Sequence, residues 1–289
     1  MTLLLVFAIT LLIAVLISAL AQRTVLSTAV LFLVVGVLAG RHVFGPLPSL
    51  DPQWLRVIAE LALFSVLFTD GMRAGGSPPP LGARSLVTRA LLGAMPLTIA
   101  GIAVLARLLL GFTWVEGILV GAVLSPTDPV FISAIFHFEA VPGRLQRLLN
   151  VESGINDGIA LPLVIIFLGE MAAHPVRLWR VGLELAGGVG IGVLIPWLAI
   201  RLEASRFFGA AGVLRSLNAF AIGLLVLAVS WRVHANIFLA AFAAGVAVAR
   251  FSPEVRAAFH EFGEGVTELL KLAAIWIFGL QMAPNLSSR

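Results

Sequence analysis

The sequence predicts an all-α polytopic membrane protein of about ten transmembrane helices, and three observations carry that prediction. Hydrophobic residues make up 60% of the 289 and charged residues only 12%, against roughly a quarter charged in an ordinary soluble domain. Mean hydropathy is +1.06. Apolar runs of about 17 to 25 residues, each long enough to cross a hydrocarbon core of about 30 Å, recur along nearly the whole length with short polar connections. Helices are the expected elements. An isolated strand leaves its backbone groups unpaired in lipid, and the runs lack the short alternation of a barrel.

The first run, residues 2 to 20, has no basic stretch before it and no small-residue cleavage site after it, so it reads as a retained helix. Runs at 24 to 40 and 54 to 72 follow; the third carries Glu60 and Asp70. Gly71 to Arg89, with Gly75-Gly76-Ser77-Pro78-Pro79-Pro80, reads as a flexible connection. The fourth run spans 85 to 109. The fifth, 113 to 137, contains Ser125-Pro126-Thr127-Asp128-Pro129, and the sixth, 147 to 173, contains Glu152-Ser153-Gly154-Ile155-Asn156-Asp157-Gly158. Runs at 180 to 200, 214 to 231, 235 to 250 and 265 to 282 complete the set. Gly187, Gly188, Gly190 and Gly192, and the alanine-rich stretch 240 to 244, point to close helix packing. All ten runs are read as one membrane domain.

Arginine placement orients the protein. Odd-numbered connections carry Arg23; Arg73, Arg84 and Arg89; Arg144 and Arg147; Arg201, Arg206 and Arg215; Arg250 and Arg256. Even-numbered ones carry Arg41, Arg56, Arg107, Arg177, Arg180 and Arg232. The bias places the odd connections in the cytoplasm and the N-terminus outside a cell inner membrane. Cysteine is absent, which excludes disulfides, thiol nucleophiles and cysteine metal sites. The net charge of +4 is scattered rather than clustered, which argues against a nucleic-acid partner. No zinc-protease helix, glycine-rich phosphate loop or serine elbow is present, and no cofactor is expected.

Two constellations put charge where it is expensive. A carboxylate at the centre of an inserted helix costs roughly 2.5 to 3.5 kcal/mol, so it normally faces a water path or an ion. Pro126 and Pro129 bracket Thr127-Asp128 and should unwind the fifth helix, freeing carbonyls at bilayer depth. A simple proline kink is the competing reading, but a kink does not require Asp128. On the sixth helix, Ser153 and Asp157 are four residues apart and share a face, while Glu152 and Asn156 form a second such pair. A hydroxyl and a carboxylate aimed at one point suit a hard cation, and desolvation favours the protonated carboxyl, so proton and cation compete. A purely structural polar network is the alternative. Glu60 and Asp70 read equally as interfacial residues. Lys271, the only lysine, needs a carboxylate such as Glu152 or Glu268, or snorkels to the interface.

In their order, Leu67-Phe68-Thr69-Asp70-Gly71-Met72, then Thr127-Asp128-Pro129, then Glu152 through Gly158, these segments resemble the monovalent cation:proton antiporters, which include bacterial sodium/proton antiporters and the animal exchangers. The resemblance implies that Asp157 binds cation or proton alternately, and that Ser153 and the Thr127 backbone carbonyl help hold Na+ or K+. It implies that Asp128 stabilises a crossing of broken helices, and that Asn156 marks electroneutral exchange. Glu152 would pair structurally with a basic residue, here Lys271. A homodimer is implied, with residues 1–72 and about 214–289 as scaffold and about 85–173 as half of the ion-binding core. Such antiporters have about twelve or thirteen helices in inverted repeats, so the inverted repeat is expected to be incomplete and the sequence to be truncated at its C-terminal end. Two rival readings remain: a non-transporting membrane subunit, and an intramembrane aspartyl protease, whose glycine-aspartate and tyrosine-aspartate motifs are missing from a sequence without tyrosine.

Overall fold

The structure is a computed structural model that describes residues 2–21, 28–40, 51–76, 84–127, 143–172, 178–205 and 214–287. The described residues form helices and turns, with no strand among them. In chain order they are α1 (Thr2–Ala21), α2 (Thr28–Leu38), α3 (Pro52–Gly76), α4 (Arg84–Arg89), α5 (Met95–Leu110), α6 (Trp114–Leu124), α7 (Gly143–Met171), α8 (Leu178–Glu203), α9 (Leu214–Arg232), α10 (Ile237–Phe251) and α11 (Pro253–Ser287). A π-helical turn, Ala90–Ala94, joins α4 to α5. Each of the ten apolar runs therefore contains a helix. Leu86–Leu110, Trp179–Glu203 and Gly263–Met282 are each long and apolar enough to cross a membrane, and Ile237–Phe251 with Pro253–Phe259, bent by 119°, would make a fourth as a broken pair. Leu3–Ser18, Thr28–Leu38, Trp114–Leu124, Ile159–Met171 and Leu217–Arg232 are shorter apolar helices.

Local chemistry sets the helix ends. Gly111 takes the left-handed conformation at φ 72°, which glycine adopts without a Cβ penalty, and it terminates α5. Its N–H bonds the Arg107 carbonyl at 3.2 Å, and the Phe112 N–H bonds that of Ala106 at 3.4 Å. Immediately after Phe112, Thr113 and Glu116 form a capping box: the Glu116 N–H donates to Thr113 Oγ1 at 3.3 Å and the Thr113 N–H donates to Glu116 Oε2 at 2.7 Å. α6 then ends at Leu124, two residues before Pro126. Proline cannot supply the next helical donor, and it disfavours helical geometry in the residue before it. The rest of the expected fifth segment, with the expected break at Asp128-Pro129, lies outside the described residues.

One part of the sequence reading is revised. The expected flexible stretch after Gly71 is helical as far as Gly76, because Gly71 and Gly75 let α3 lie directly against α10. A Cβ on Gly75 would meet the Val246 carbonyl oxygen at 2.7 Å. Glycine costs helix stability in isolation, but close backbone contact offsets that cost here.

The fold divides into two compact units, residues 1–66 with 264–289, and residues 67–263. In the first, Phe7 stacks edge-on against Phe32 and Trp276, with centroids 5.7 and 5.5 Å apart. Gly36 and Gly279 face one another across that contact, and a Cβ on Gly279 would lie 2.5 Å from the Leu33 carbonyl oxygen. In the second, α5 and α6 pack as an antiparallel hairpin in which Gly117 sits on Ala103 and Gly121 on Ile99. α8 and α10 run parallel, with Gly188 against Asn236 and Gly192 against Ala240 and Ala243. α10 is the most deeply packed helix of this unit, since Ala240, Ala241, Ala244 and Val248 are fully buried. Small side chains on α10 make that possible: they let α3 and α8 both approach within backbone contact.

Candidate functional site

The end of α6 and the first half of α7 meet in a polar cluster. α7 runs through the whole Glu152-to-Gly158 motif as helix, so Glu152 and Asn156 stand one turn apart. Past Leu124 the backbone bends at Ser125 and Pro126 and delivers Thr127 to that turn. The Thr127 hydroxyl donates to Glu152 Oε2 at 3.1 Å. Asn156 Nδ2 donates both to Thr127 Oγ1 at 2.9 Å and to Glu152 Oε1 at 3.3 Å. Three side chains from two segments, 25 to 29 residues apart in sequence, thus close a triangle of hydrogen bonds.

The triangle runs from an exposed corner at Thr127, through half-buried Glu152, to a buried one at Asn156. Asn156 is 1% exposed, and its Oδ1 makes no hydrogen bond among the described residues. Both amide hydrogens point at Thr127 and Glu152, so the acceptor end is left over. Beneath the cluster, Met95 and Ile99 of α5 pack with Ala160 of α7, and Ile118 and Leu163 close the side. This apolar wall holds the α6–α7 pairing in register.

The sequence-derived candidates fall into three groups. Thr127, Glu152 and Asn156 are brought together. Ser153 and Asp157 occupy α7, one turn apart on its backbone, while their side chains and the whole of Asp128 lie outside the described residues. Lys271, on α11, forms an ion pair with Glu268 three residues earlier, one of the two partners anticipated for it. The two other acidic candidates also have basic neighbours: Glu60 Oε1 lies 2.7 Å from Arg56 Nε, and buried Asp70 lies 3.6 Å from Arg73 Nη1. Among the described residues no group of three or more histidine, aspartate and glutamate side chains could hold a metal ion.

What sequence reasoning missed is the Thr127 hydroxyl. The resemblance drew attention to this residue's backbone carbonyl, whereas its side chain ties the turn after α6 to Glu152. A signal existed in the residue type, because a threonine between two prolines offers a hydroxyl free of helical back-bonding.

Residues 8–288 match the family described as sodium/hydrogen exchanger, transmembrane. The chain belongs to that family. Similar proteins include the K(+)/H(+) antiporter NhaP of Alkalimonas amylolytica, 28% identical over 97% of this chain and 50% of that protein. The K(+)/H(+) antiporter NhaP2 of Shewanella oneidensis is 26% identical over 94% of this chain and 48% of its own. A shorter match, 37% identical over 70 residues, is to the Na(+)/H(+) antiporter 2 of Zygosaccharomyces rouxii. The chain spans about half the length of the curated antiporters it matches end to end. Family membership identifies a multi-pass membrane protein of the sodium/hydrogen exchanger family, and that family is not one of intramembrane aspartyl proteases.

Proposed function

We propose that this membrane protein takes part in electroneutral exchange of protons for monovalent cations by alternating access. Asp157 is the group that carries proton and cation in turn, with Ser153 and Thr127 as further oxygen ligands and Asp128 steadying the broken helix. The observation that carries the proposal is the oxygen-rich cluster at the α6–α7 meeting point, next to the Asn156-Asp157 pair, in a member of this family. Its donors are hard oxygens without sulfur or imidazole, the set that suits alkali cations. The buried Asn156 Oδ1 adds an acceptor that a cation or an ordered water can satisfy. K+ is the favoured cargo over Na+, because the two long relatives are named for K+.

Glu152 has a distinct part in this scheme. Held by the Thr127 hydroxyl and the Asn156 amide, it fixes the end of α6 against α7 and orients the turn that carries Asp157. A second carboxylate one turn away also favours a cation there by Coulombic attraction. The N-terminus is proposed outside and the odd connections in the cytoplasm, with residues 1–72 and 214–289 serving as homodimer scaffold.

The test is cation-driven proton movement in vesicles containing the purified protein, with K+ and Na+ gradients compared. Asp157→Asn should abolish the exchange, and retained exchange in that variant would sink the assignment of Asp157. A wild-type protein that inserts and folds but moves no protons with either cation would instead support a non-transporting subunit.

A further inference from the structure

One turn in the span that backs the candidate site is not α-helical. Between α4 and α5, Ala90–Ala94 form a π-helical turn, which the Met95 N–H closes by donating to the Ala90 carbonyl five residues back. The sequence explains its place. Pro96 follows directly, and in an unbroken α-helix its ring would collide with the Leu92 carbonyl and leave that carbonyl without a donor. A π turn takes in one extra residue and carries the chain past the obstruction. That residue also resets the buried face. Val87 and Leu91 are buried before the turn, so an α-helical continuation would bring Thr98 and Leu105 inward, seven and fourteen positions after Leu91. Instead Thr98 and Leu105 are exposed, and Ile99 and Ala106, one position further on in each case, are buried.

The turn leaves one carbonyl over. Leu91 would bond Met95 in the α register and residue 96 in the π register, but Met95 donates to Ala90 and Pro96 has no N–H to donate. Leu91 is the buried residue of this turn, at 8% exposed, so solvent does not supply the missing donor. α7 is the helix that packs on the turn. α6 runs antiparallel to α5, with Gly117 on Ala103 and Gly121 on Ile99, and antiparallel to α7, since Thr127 meets Glu152 while Ile118 packs near Leu163. α5 and α7 are therefore parallel. Met95 packs with Ala160, and four residues back along either helix, about 6 Å, come Leu91 on one and Asn156 on the other. Asn156 Oδ1 is likewise a buried acceptor without a donor among the described residues. Two such oxygens at one level of neighbouring helices cannot satisfy each other. Each is costly at bilayer depth until a positive group lies against it.

We infer that the Leu91 carbonyl oxygen is a further ligand for the transported monovalent cation, and that Pro96 keeps it free for that purpose. The inference rests on the cation-exchange reading above. Carbonyls released where a membrane helix departs from α geometry are hard oxygen ligands suited to alkali cations. A neutral carbonyl also strengthens cation binding without adding another group that a proton can occupy.

Cation binding is read from the thermal unfolding midpoint of the purified protein titrated with K+ and with Na+ at constant ionic strength, because a bound ion raises the midpoint whether or not transport follows. Two variants occupy or weaken the carbonyl. Pro96→Ala restores an N–H, which bonds Leu91 directly in the π register or lets the turn relax so that Met95 does. An ester in place of the Leu91–Leu92 amide weakens the oxygen as an acceptor while Pro96 stays. Each should raise the dissociation constant for the cation at least threefold. A smaller change in either would overturn the inference, including a rise in Pro96→Ala alone, which would mark repacking of the wall. Where Pro96→Ala does not fold, the ester decides alone. Asp157→Asn separates the two readings: a wild-type response that this variant loses supports the exchange site whatever the outcome for Leu91, whereas a wild type that responds to neither cation overturns both.

Discussion

Replacing Gly245 by alanine places one methyl group in the tightest helix crossing of the larger unit. A Cβ there would run into the Phe68 carbonyl oxygen and lie 2.8 Å from the Met72 nitrogen and 3.0 Å from the Gly71 carbonyl carbon. All three obstacles are backbone atoms, so no rotamer change relieves them. Restoring ordinary contact of about 3.5 Å at the Phe68 oxygen, the nearest of the three, requires α3 and α10 to separate by more than roughly 1 Å along this crossing. Overpacking of that kind costs about 1–3 kcal/mol, and a gap of this size already forfeits a quarter or more of the dispersion attraction between the separated atoms. At about 2–4 °C per kcal/mol for a protein of this size, the midpoint of thermal unfolding in detergent should fall by roughly 2–12 °C. Gly101→Ala on α5 is the matched control, because nothing lies within 4 Å of its Cβ. There the substitution replaces a poor helix former with a good one and should leave the midpoint unchanged or slightly raised. The reasoning is refuted if Gly245→Ala unfolds at the wild-type temperature, or if Gly101→Ala falls as far.

Two other substitutions probe single contacts. Thr127→Val keeps the shape and the backbone carbonyl but removes the hydroxyl that joins Glu152 to Asn156; it should lower stability by about 1 kcal/mol, read as a drop of a few degrees in the unfolding midpoint. Asn236→Ala removes the Oδ1 acceptor that caps α10 by receiving the Leu239 N–H at 2.8 Å, and a loss of about 1 kcal/mol is expected by the same measurement, with no change if solvent replaces the cap fully.

Much of the helical layout was legible from the letters because lipid tolerates few alternatives. A long apolar run must satisfy its own backbone, so run boundaries and helix boundaries nearly coincide, as for Thr2–Ala21 and Leu214–Arg232. The capping box at Thr113 and Glu116 and the left-handed stop at Gly111 are likewise local events. Glycines resisted the same treatment. Gly75 and Gly76 in a run ending in prolines read as loop, yet they are helical, since their worth depends on what lies opposite: α10 against Gly75 and the Arg256 side chain of α11 against Gly76. The pairing of Glu152 with Asn156 followed from helical spacing, while the third member, the Thr127 hydroxyl, depended on where a backbone bend would deliver it.

Sequence by itself determined that the protein is helical and membrane-bound, which family it belongs to, and that Glu152 and Asn156 share a turn, because composition, motif order and helical period act over short distances. Tertiary structure alone decided that α10 sits between α3 and α8, that the acceptor end of Asn156 stays buried without a partner among the described residues, and that the π-helical turn before α5 lies against α7. Those outcomes depend on which surfaces meet. Contact between residues far apart in sequence is set by packing, which no local pattern encodes.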